Sequence, residues 1–368
     1  MKILNIISGL EKGGAETIMY NLIKNDKNEH IVISLSKSGY FKKLLIENNN
    51  KLYLFNTSNF INFIYTYFCI IIISIKIKPD LIQTWLYKAD FMGSLVSLIT
   101  KYKLFWSLHH SKPSTKLIGI KTKVAFKCLS IFSLFFPEKI ICCGNSVKKF
   151  HSKIGFDKKK LLTIYNGYSS EIFNTKKNDK YTKLLNLNNS IVLGSITRWD
   201  KYKDFKTLFK SLNLLDKKFS NWTLLLAGRG LNEHNKELIN LLYNYDYKEK
   251  VILMGIVDDI ENLYKAFDIN LLISNAEAFP NVISESMLSG IPCIASDVGD
   301  NKMIISDLGL TVKINDEIDL SDKIFNFINK LKDKYYKQKL KILCRKRIQE
   351  NFSLLSMIKN YNKVWNNR

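Results

Sequence analysis

Short apolar runs recur along the chain, separated by longer stretches in which apolar positions return every third or fourth residue. The short runs read as strands. A first series comprises Lys2–Ile7, His30–Leu35, Lys51–Phe55, Leu81–Thr84, Leu104–Leu108, Lys139–Cys143 and Leu161–Tyr165. A second begins after Asn166, with Ile191–Ile196, Thr223–Ala227, Lys250–Met254, Ile269–Ile273 and Pro292–Ala295. Continuous Ile/Leu/Val strands between helical segments are the pattern of parallel sheets covered on both faces. Two such series predict an α/β chain of two doubly wound domains, with ligands held at the carboxyl ends of the strands. The polar stretch Asn166–Ser190 is the expected seam. Domains are expected over 1–167 and 168–345, with helices near the end and a last one, 346–368, returning to the first domain. The apolar segment Phe60–Ile77 is near the minimum length for a membrane span, but Asn62, Thr66, Ser74 and Lys76 interrupt it. A buried helix is the expectation there.

The densest constellation is "SNAEAFPNVISESMLSGIPCIASDVG", from Ser274 to Gly299. A strand over Ile269–Ser274 leads through the loop Asn275–Pro280 to a helix over Asn281–Ser289, which Gly290 and Pro292 end. Pro280 fits the first helical position. The amides of Asn281, Val282 and Ile283 then form an anion site at a positive helix end. Glu277 in the loop and Glu285 one turn into the helix reach the same crevice. Beside a phosphate they suit hydroxyl acceptors, one toward a sugar and one toward a ribose.

Other candidates lie at strand ends. "SGLEKGGAET" follows the first strand, and Gly13 and Gly14 let backbone approach a ligand. "SITRWDKYKDF" places Arg198 and Lys203 where a guanidinium and an ammonium can neutralise a diphosphate. "LAGRG" ends a strand with a glycine turn at Gly228, and "MGIVDDI" offers Ile256 and Val257. "FWSLHHSKP" sets His109 and His110 after a strand of the first half, and "NGYSSEIF" falls at the hinge. No D-x-D and no His/Cys/Asp cluster with metal-ligand spacing occurs, so the site is expected to hold no metal and to need no cofactor beyond its co-substrate.

Together these motifs resemble the retaining, nucleotide-sugar-dependent glycosyltransferases of family 4, the glycosyl transferases group 1. Glu277–Glu285 matches that family's E-x7-E motif, and Arg198 with Lys203 its R-x4-K pair. The resemblance covers most of the chain and is densest in 191–300. It implies the GT-B fold, two Rossmann-like domains facing across a cleft. The Gly13-Gly14 loop then faces the donor diphosphate and the acceptor, and the Gly228 loop lies near the nucleotide. Ile256 and Val257 wall the base, and Phe279, Pro280, Asn281 and Val282 line the donor site. An active-site histidine falls on His109 or His110. Glu277 orients the donor sugar and Glu285 holds the ribose. The implied reaction is retaining hexosyl transfer from a nucleotide sugar, UDP-linked by expectation, to a lipid-linked or polysaccharide acceptor. Its setting is bacterial cell-surface polysaccharide biosynthesis, of lipopolysaccharide or capsule. A nucleotide-sugar 2-epimerase shares the fold and is the alternative.

Charge adds a partner. The net charge of +23 is uneven: residues 1–165 carry 25 Lys against 9 acidic residues, and within 101–160 there are 14 Lys against 2. Such a field favours an anionic partner. Without an aromatic-plus-basic run, zinc finger or recognition helix, nucleic acid is only a remote alternative. The expectation is a cytoplasmic protein, its six cysteines reduced, docked peripherally on the inner face of the plasma membrane through 101–160. The lysines nominated for docking are Lys116, Lys121, Lys123 and Lys127. Apolar companions are Leu104, Phe105, Trp106, Ile118, Ile120, Phe126, Phe132, Leu134, Phe135 and Phe136.

Overall fold

The computed structural model describes residues 1–110, 120–187 and 190–366. The chain forms two compact units, Met1–Gly167 with Leu354–Arg368, and Tyr168–Ser353.

The first unit is built on a seven-stranded sheet: β1 (Lys2–Ile7), β2 (Glu29–Ser34), β3 (Lys51–Leu54), β4 (Leu81–Trp85), β5 (Lys103–Leu108), β6 (Lys139–Cys142) and β7 (Leu161–Thr163). Their order is β3-β2-β1-β4-β5-β6-β7, and every pairing is parallel. The connecting helices are α1 (Gly14–Asn25), α2 (Phe41–Glu47), α3 (Phe60–Ile77), α4 (Tyr87–Thr100), α5 (Ile120–Phe135) and α6 (Asn145–Lys153). Right-handed crossovers put α1 and α2 on one face. At α3 the winding direction reverses, so α3 to α6 cover the other. Accordingly α3 packs on α4 and α4 on α5.

The second unit repeats the plan with β8 (Ile191–Ile196), β9 (Trp222–Ala227), β10 (Val251–Gly255), β11 (Ile269–Leu272), β12 (Cys293–Ser296) and β13 (Leu310–Val312), ordered β10-β9-β8-β11-β12-β13. Its helices are α7 (Lys180–Leu184), α8 (Phe205–Asp216), α9 (Lys236–Leu242), α10 (Ile260–Leu263), α11 (Asn281–Leu288), α12 (Asn301–Ile305), α13 (Glu317–Leu331) and α14 (Lys334–Asn351). A last helix, α15 (Leu354–Asn366), packs on α1 in the first unit. Both sheets are Rossmann-like and wholly parallel, and their strands are continuously apolar because both faces are covered.

Buried polar groups fix α15 in place. Asn362 donates to Asp26 Oδ1 at 2.7 Å, Trp365 Nε1–H donates to Gln83 Oε1 at 3.0 Å, and the Tyr361 and Ser107 hydroxyls meet at 3.0 Å. Asp26 also meets His30 Nε2 at 2.9 Å, and Asn5 Nδ2 donates to the other ring nitrogen at 3.1 Å. Burial raises the Asp26 pKa, but hydrogen bonds from His30, Asn362 and Asn28 outweigh it and hold the carboxyl well below its usual range.

Several expectations change. Helix α3 is not buried: its inward residues are Thr66, Ile70, Ser74 and Ile77, and the rest of it is half-buried or exposed. The cause is its position as the crossover helix at the margin of its layer, packed chiefly on α4. Of the apolar residues expected at a basic docking surface, Leu104, Phe105 and Trp106 instead lie buried in β5, and Phe126 is buried too. Lys116 and Ile118 lie outside the described residues, as do the side chains of Ile120 and Lys121. The expected seam is partly folded: Tyr181 and Leu187 enter the second unit's core with Val192, Leu225, Leu263 and Phe267. Residue 346 falls inside unbroken α14, and the chain joins the first unit from Leu354. Strand β13 carries too short an apolar run to stand out from sequence.

Candidate active site

In the second unit the candidate residues gather at the carboxyl ends of β8, β9, β10 and β11. Helix α11 begins at Asn281, with Pro280 as its N-cap at φ −73° and ψ 121° rather than in the first helical turn. Its extended ψ directs the chain out of the loop, whereas a helical Pro280 would have carried the turn one residue back. As in any helix the first-turn amides have no intrahelical acceptor, and Pro280 offers no side-chain cap. The helix ends as expected. Gly290 sits at φ 84°, with Gly290 N–H on Met287 O at 2.9 Å and Ile291 N–H on Ser286 O at 3.0 Å. That closure is a Schellman motif, for which glycine is suited.

Glu285 is buried, and the Tyr264 hydroxyl donates to its Oε2 at 3.0 Å. Burial and the neighbouring Glu285 charge push the Tyr264 pKa well above its ordinary value, so the phenol remains a donor. A hydrogen bond to a charged group contributes roughly 1.5–3 kcal/mol. Phe279 is buried edge-on against Phe352, ring centres 5.3 Å apart, and Asn281 Oδ1 accepts from the Tyr168 hydroxyl at 2.9 Å. These contacts fix both sides of the Phe-Pro-Asn turn.

Glu277 pairs with Lys203. Both side chains are nearly buried, 12% and 11% exposed. The pairing follows from the backbone, because two loops are zipped together: Asn275 N–H binds Tyr202 O at 2.8 Å and Asp204 N–H binds Ile273 O at 3.0 Å. Gly299 supports the Glu277 loop from the other side. Its φ is 60°, and a Cβ there would lie 2.5 Å from Glu277 O and 2.7 Å from Ala278 O. Arg198, half-exposed, donates through Nε to Asp200 Oδ2 at 3.0 Å. Around the same strand ends Thr197 Oγ1, Ser274 Oγ and Asn275 Oδ1 are buried without a hydrogen-bond partner in the protein. Buried polar atoms of this kind call for a ligand or water.

The β9 turn holds Gly228 at φ 135°, its N–H on Gly255 O at 2.6 Å, and a Cβ there would collide with the Thr197 carbonyl oxygen. The β8, β9 and β10 ends are thereby drawn together. Ile256 is 63% exposed beside this turn, while Val257 packs on the core cluster beneath. Among the described residues no group of three or more His, Cys, Asp or Glu is placed to hold a metal ion.

In the first unit Gly13 is the N-cap of α1 in extended backbone, and the Glu16 carboxylate folds over it. Gly14 opens the helix. His109 follows β5, stacks on Trp85 with ring centres 5.6 Å apart, and meets the Ser107 hydroxyl at 3.0 Å. Burial, helped by His110, pushes its pKa down to about 3, so the ring is neutral. His110 is exposed, 5.6 Å from the Tyr87 ring.

Sequence reasoning missed Tyr264 and Gly299. Tyr264 stands 21 positions from Glu285, so no local spacing marks it. Gly299 was visible as a glycine, but only the fold shows what presses on it.

Residues 177–342, nearly all of the second unit, match the model of the family "Glycosyl transferases group 1". The chain is 25% identical over 296 residues to the Escherichia coli UDP-Gal:alpha-D-GlcNAc-diphosphoundecaprenol alpha-1,3-galactosyltransferase, covering 77% of this chain and 74% of that one. It is 25% identical over 376 residues to the Escherichia coli O-antigen biosynthesis glycosyltransferase WclY, covering 100% and 98%. In fold it resembles Anabaena HepE, crystallised in complex with UDP, with a TM-score of 0.87 over 99% of each chain at 21% identity. The fold is therefore GT-B, and residues 177–342 are similar to the glycosyl transferases group 1.

Proposed function

We propose that this glycosyltransferase moves a hexosyl group, with retention, from a UDP-linked sugar to a hydroxyl of a lipid-linked or polysaccharide acceptor, as a family 4 enzyme of lipopolysaccharide or capsule biosynthesis. The observation that carries the reading is the separate handling of two carboxylates at the start of α11. Tyr264 holds Glu285 and Lys203 holds Glu277, with Arg198 nearby in sequence on the Lys203 loop.

Each carboxylate has its own task. Glu285, fixed by the Tyr264 donor, presents its remaining acceptor capacity to the ribose hydroxyls. Glu277 turns toward the donor sugar and stabilises positive character at its anomeric carbon. Lys203 and Arg198 face the diphosphate as it departs, and the α11 amides add the positive end of a helix. Stabilising the charge that develops on the leaving group is the electrostatic task of the site. With these cations assigned to the diphosphate charge, metal-independent turnover belongs to the proposal. The first unit takes the acceptor, with His109 or His110 and the Gly13-Gly14 loop at its strand ends. The E. coli relative named for a diphosphoundecaprenol acceptor supports a lipid-linked acceptor, and the UDP in the HepE complex supports a UDP-linked donor. The relatives are named as transferases, which favours transfer over 2-epimerisation. Peripheral work at the cytoplasmic face of the membrane follows from such an acceptor.

A thermal-shift screen of UDP-sugars, followed by turnover with diphosphoundecaprenol-linked acceptors, tests the reading. Stabilisation by UDP-sugars that Glu285→Ala removes supports it; stabilisation untouched by that change contradicts the ribose assignment.

A further inference from the structure

Helix α3 is turned inside out relative to an ordinary surface helix. Two of its four inward residues are the hydroxyl side chains Thr66 and Ser74. Ser74 satisfies itself on Ile70 O at 2.7 Å, while the buried Thr66 hydroxyl has no partner. The outward stripe is apolar: Ile61, Tyr65, Phe68, Ile72 and Ile75 recur at helical spacing, with Phe60 beside them. Phe60 and Ile61 are 77% and 78% exposed. A soluble helix places its apolar stripe on the core, so this one has its second partner outside the fold.

The stripe continues over its layer. Leu98 and Ile99 are exposed at the end of α4, and Ile131, Leu134 and Phe135 along α5, with Phe135 73% exposed. Charge around the face is mainly positive, with the exposed Asp80 and Glu138 at its margin. No Asp or Glu occurs between Glu47 and Asp80, nor between Asp90 and Glu138, and Asp90 itself is buried. Exposed Lys76 and Lys78 close α3, Lys101 and Lys103 lie between α4 and β5, and Lys123 and Lys127 lie on α5. Since β4 and β5 are neighbours in register, the first two lysine pairs sit along one edge of the sheet.

We infer that the α3–α4–α5 face is a lipid-docking surface, on which α3 lies in the headgroup–acyl boundary of an anionic leaflet while the lysines meet its headgroups. An apolar helical stripe flanked mostly by lysines fits an anionic bilayer better than a protein partner, whose interface would be met by mixed charge. The helix lies on the membrane rather than across it, because its inward stripe and both ends are tied into the unit. This inference rests on the lipid-linked acceptor proposed above and names the surface that would bring the enzyme to it. It also moves docking from the 101–160 basic stretch as a whole to a specific helical layer.

The test is sedimentation of the purified chain with vesicles of equal parts phosphatidylglycerol and phosphatidylethanolamine, or of phosphatidylcholine alone, without sugar donor. Binding is expected to the anionic vesicles and to fall as salt rises. Phe68→Glu with Ile72→Glu, both exposed, is expected to lower binding roughly tenfold or more while the melting temperature stays put. In a second arm, Phe68→Trp reports depth: its added emission shifts to the blue and is quenched by brominated lipid. Unquenched Trp at position 68 in vesicle-bound protein overturns the proposal. So does binding unchanged by the paired Glu substitutions, or self-association that those substitutions abolish with no binding to either vesicle. Turnover measured separately on a water-soluble acceptor keeps the two readings apart. Turnover without vesicle binding sinks this inference alone, and binding without turnover sinks the proposed reaction.

Discussion

Tyr264 reaches Glu285 from 21 positions earlier in the chain, its hydroxyl 3.0 Å from the carboxylate, and both residues are buried. The motif glutamate is thus held in one orientation by a residue outside the motif. If Glu285 holds the donor ribose before and during reaction alike, Tyr264→Phe removes binding common to ground and transition states. KM for the UDP-sugar should rise about tenfold with kcat little changed, since a hydrogen bond to a charged group is worth roughly 1.5–3 kcal/mol. Steady-state kinetics decides; a fall in kcat at unchanged KM would place Glu285 in the chemistry instead.

Arg198 and Lys203 should separate in stability although both are assigned to the leaving group. Arg198 is half-exposed with Asp200 as its ion-pair partner, whereas Lys203 and Glu277 form a nearly buried pair. Arg198→Ala should cost roughly 10²-fold in kcat/KM, the usual effect of losing one preorganised donor, without altering denaturant midpoints. Lys203→Ala should also destabilise the second unit, by up to about 3–5 kcal/mol if Glu277 stays charged without its lysine. Equal stability losses in the two variants would contradict the assignment of the buried pair.

Gly299→Ala should damage the Glu277 loop from a distance. At φ 60° the added Cβ presses on the carbonyls of Glu277 and Ala278. A left-handed non-glycine residue alone costs about 1–2 kcal/mol. Both the melting temperature and kcat/KM should fall, and normal kinetics in a destabilised variant would uncouple Gly299 from the site.

Acid should weaken the first unit through its neutral histidines. Burial pushes His109 to about 3 and His151 to about 4, against an ordinary 6.5. Below that ordinary value the unfolded chain binds protons that the folded chain refuses, so stability falls with pH down to each folded value. The slope is about 1.4 kcal/mol per pH unit for each histidine. His151→Gln should flatten the pH dependence of the melting temperature between pH 6.5 and 4. An unchanged slope would mean that His151 titrates normally.

How far the sequence could be read depended on the range of the interaction. Strands such as Ile191–Ile196 were legible because burial on both faces leaves an unbroken apolar run. The end of α11 was legible because Gly290 is a local device. Glu277 and Glu285 stood out through spacing. The Tyr264 hydrogen bond, the Lys203 ion pair and the pressure on Gly299 join segments remote in sequence, and no pattern in one segment encodes them. Helix α3 misled for the opposite reason. Its composition is that of a core helix, and only its place at the margin of the layer leaves that composition facing outward.

Metal dependence is a further check. Turnover should survive EDTA if, as proposed, Arg198, Lys203 and the α11 amides meet the diphosphate charge. Loss on chelation, restored by Mn²⁺ or Mg²⁺, would show that the side chains do not suffice.

The central claim is sugar transfer from a UDP-linked donor to a lipid-linked hydroxyl, and UDP release tests it most directly. The purified chain is incubated with a UDP-sugar, with and without a sugar-diphosphoundecaprenol acceptor, and both UDP and the lipid product are measured. The account predicts UDP only when donor and acceptor are present together, matched by a glycolipid heavier by one hexose. UDP or an altered nucleotide sugar formed equally well without acceptor would contradict it.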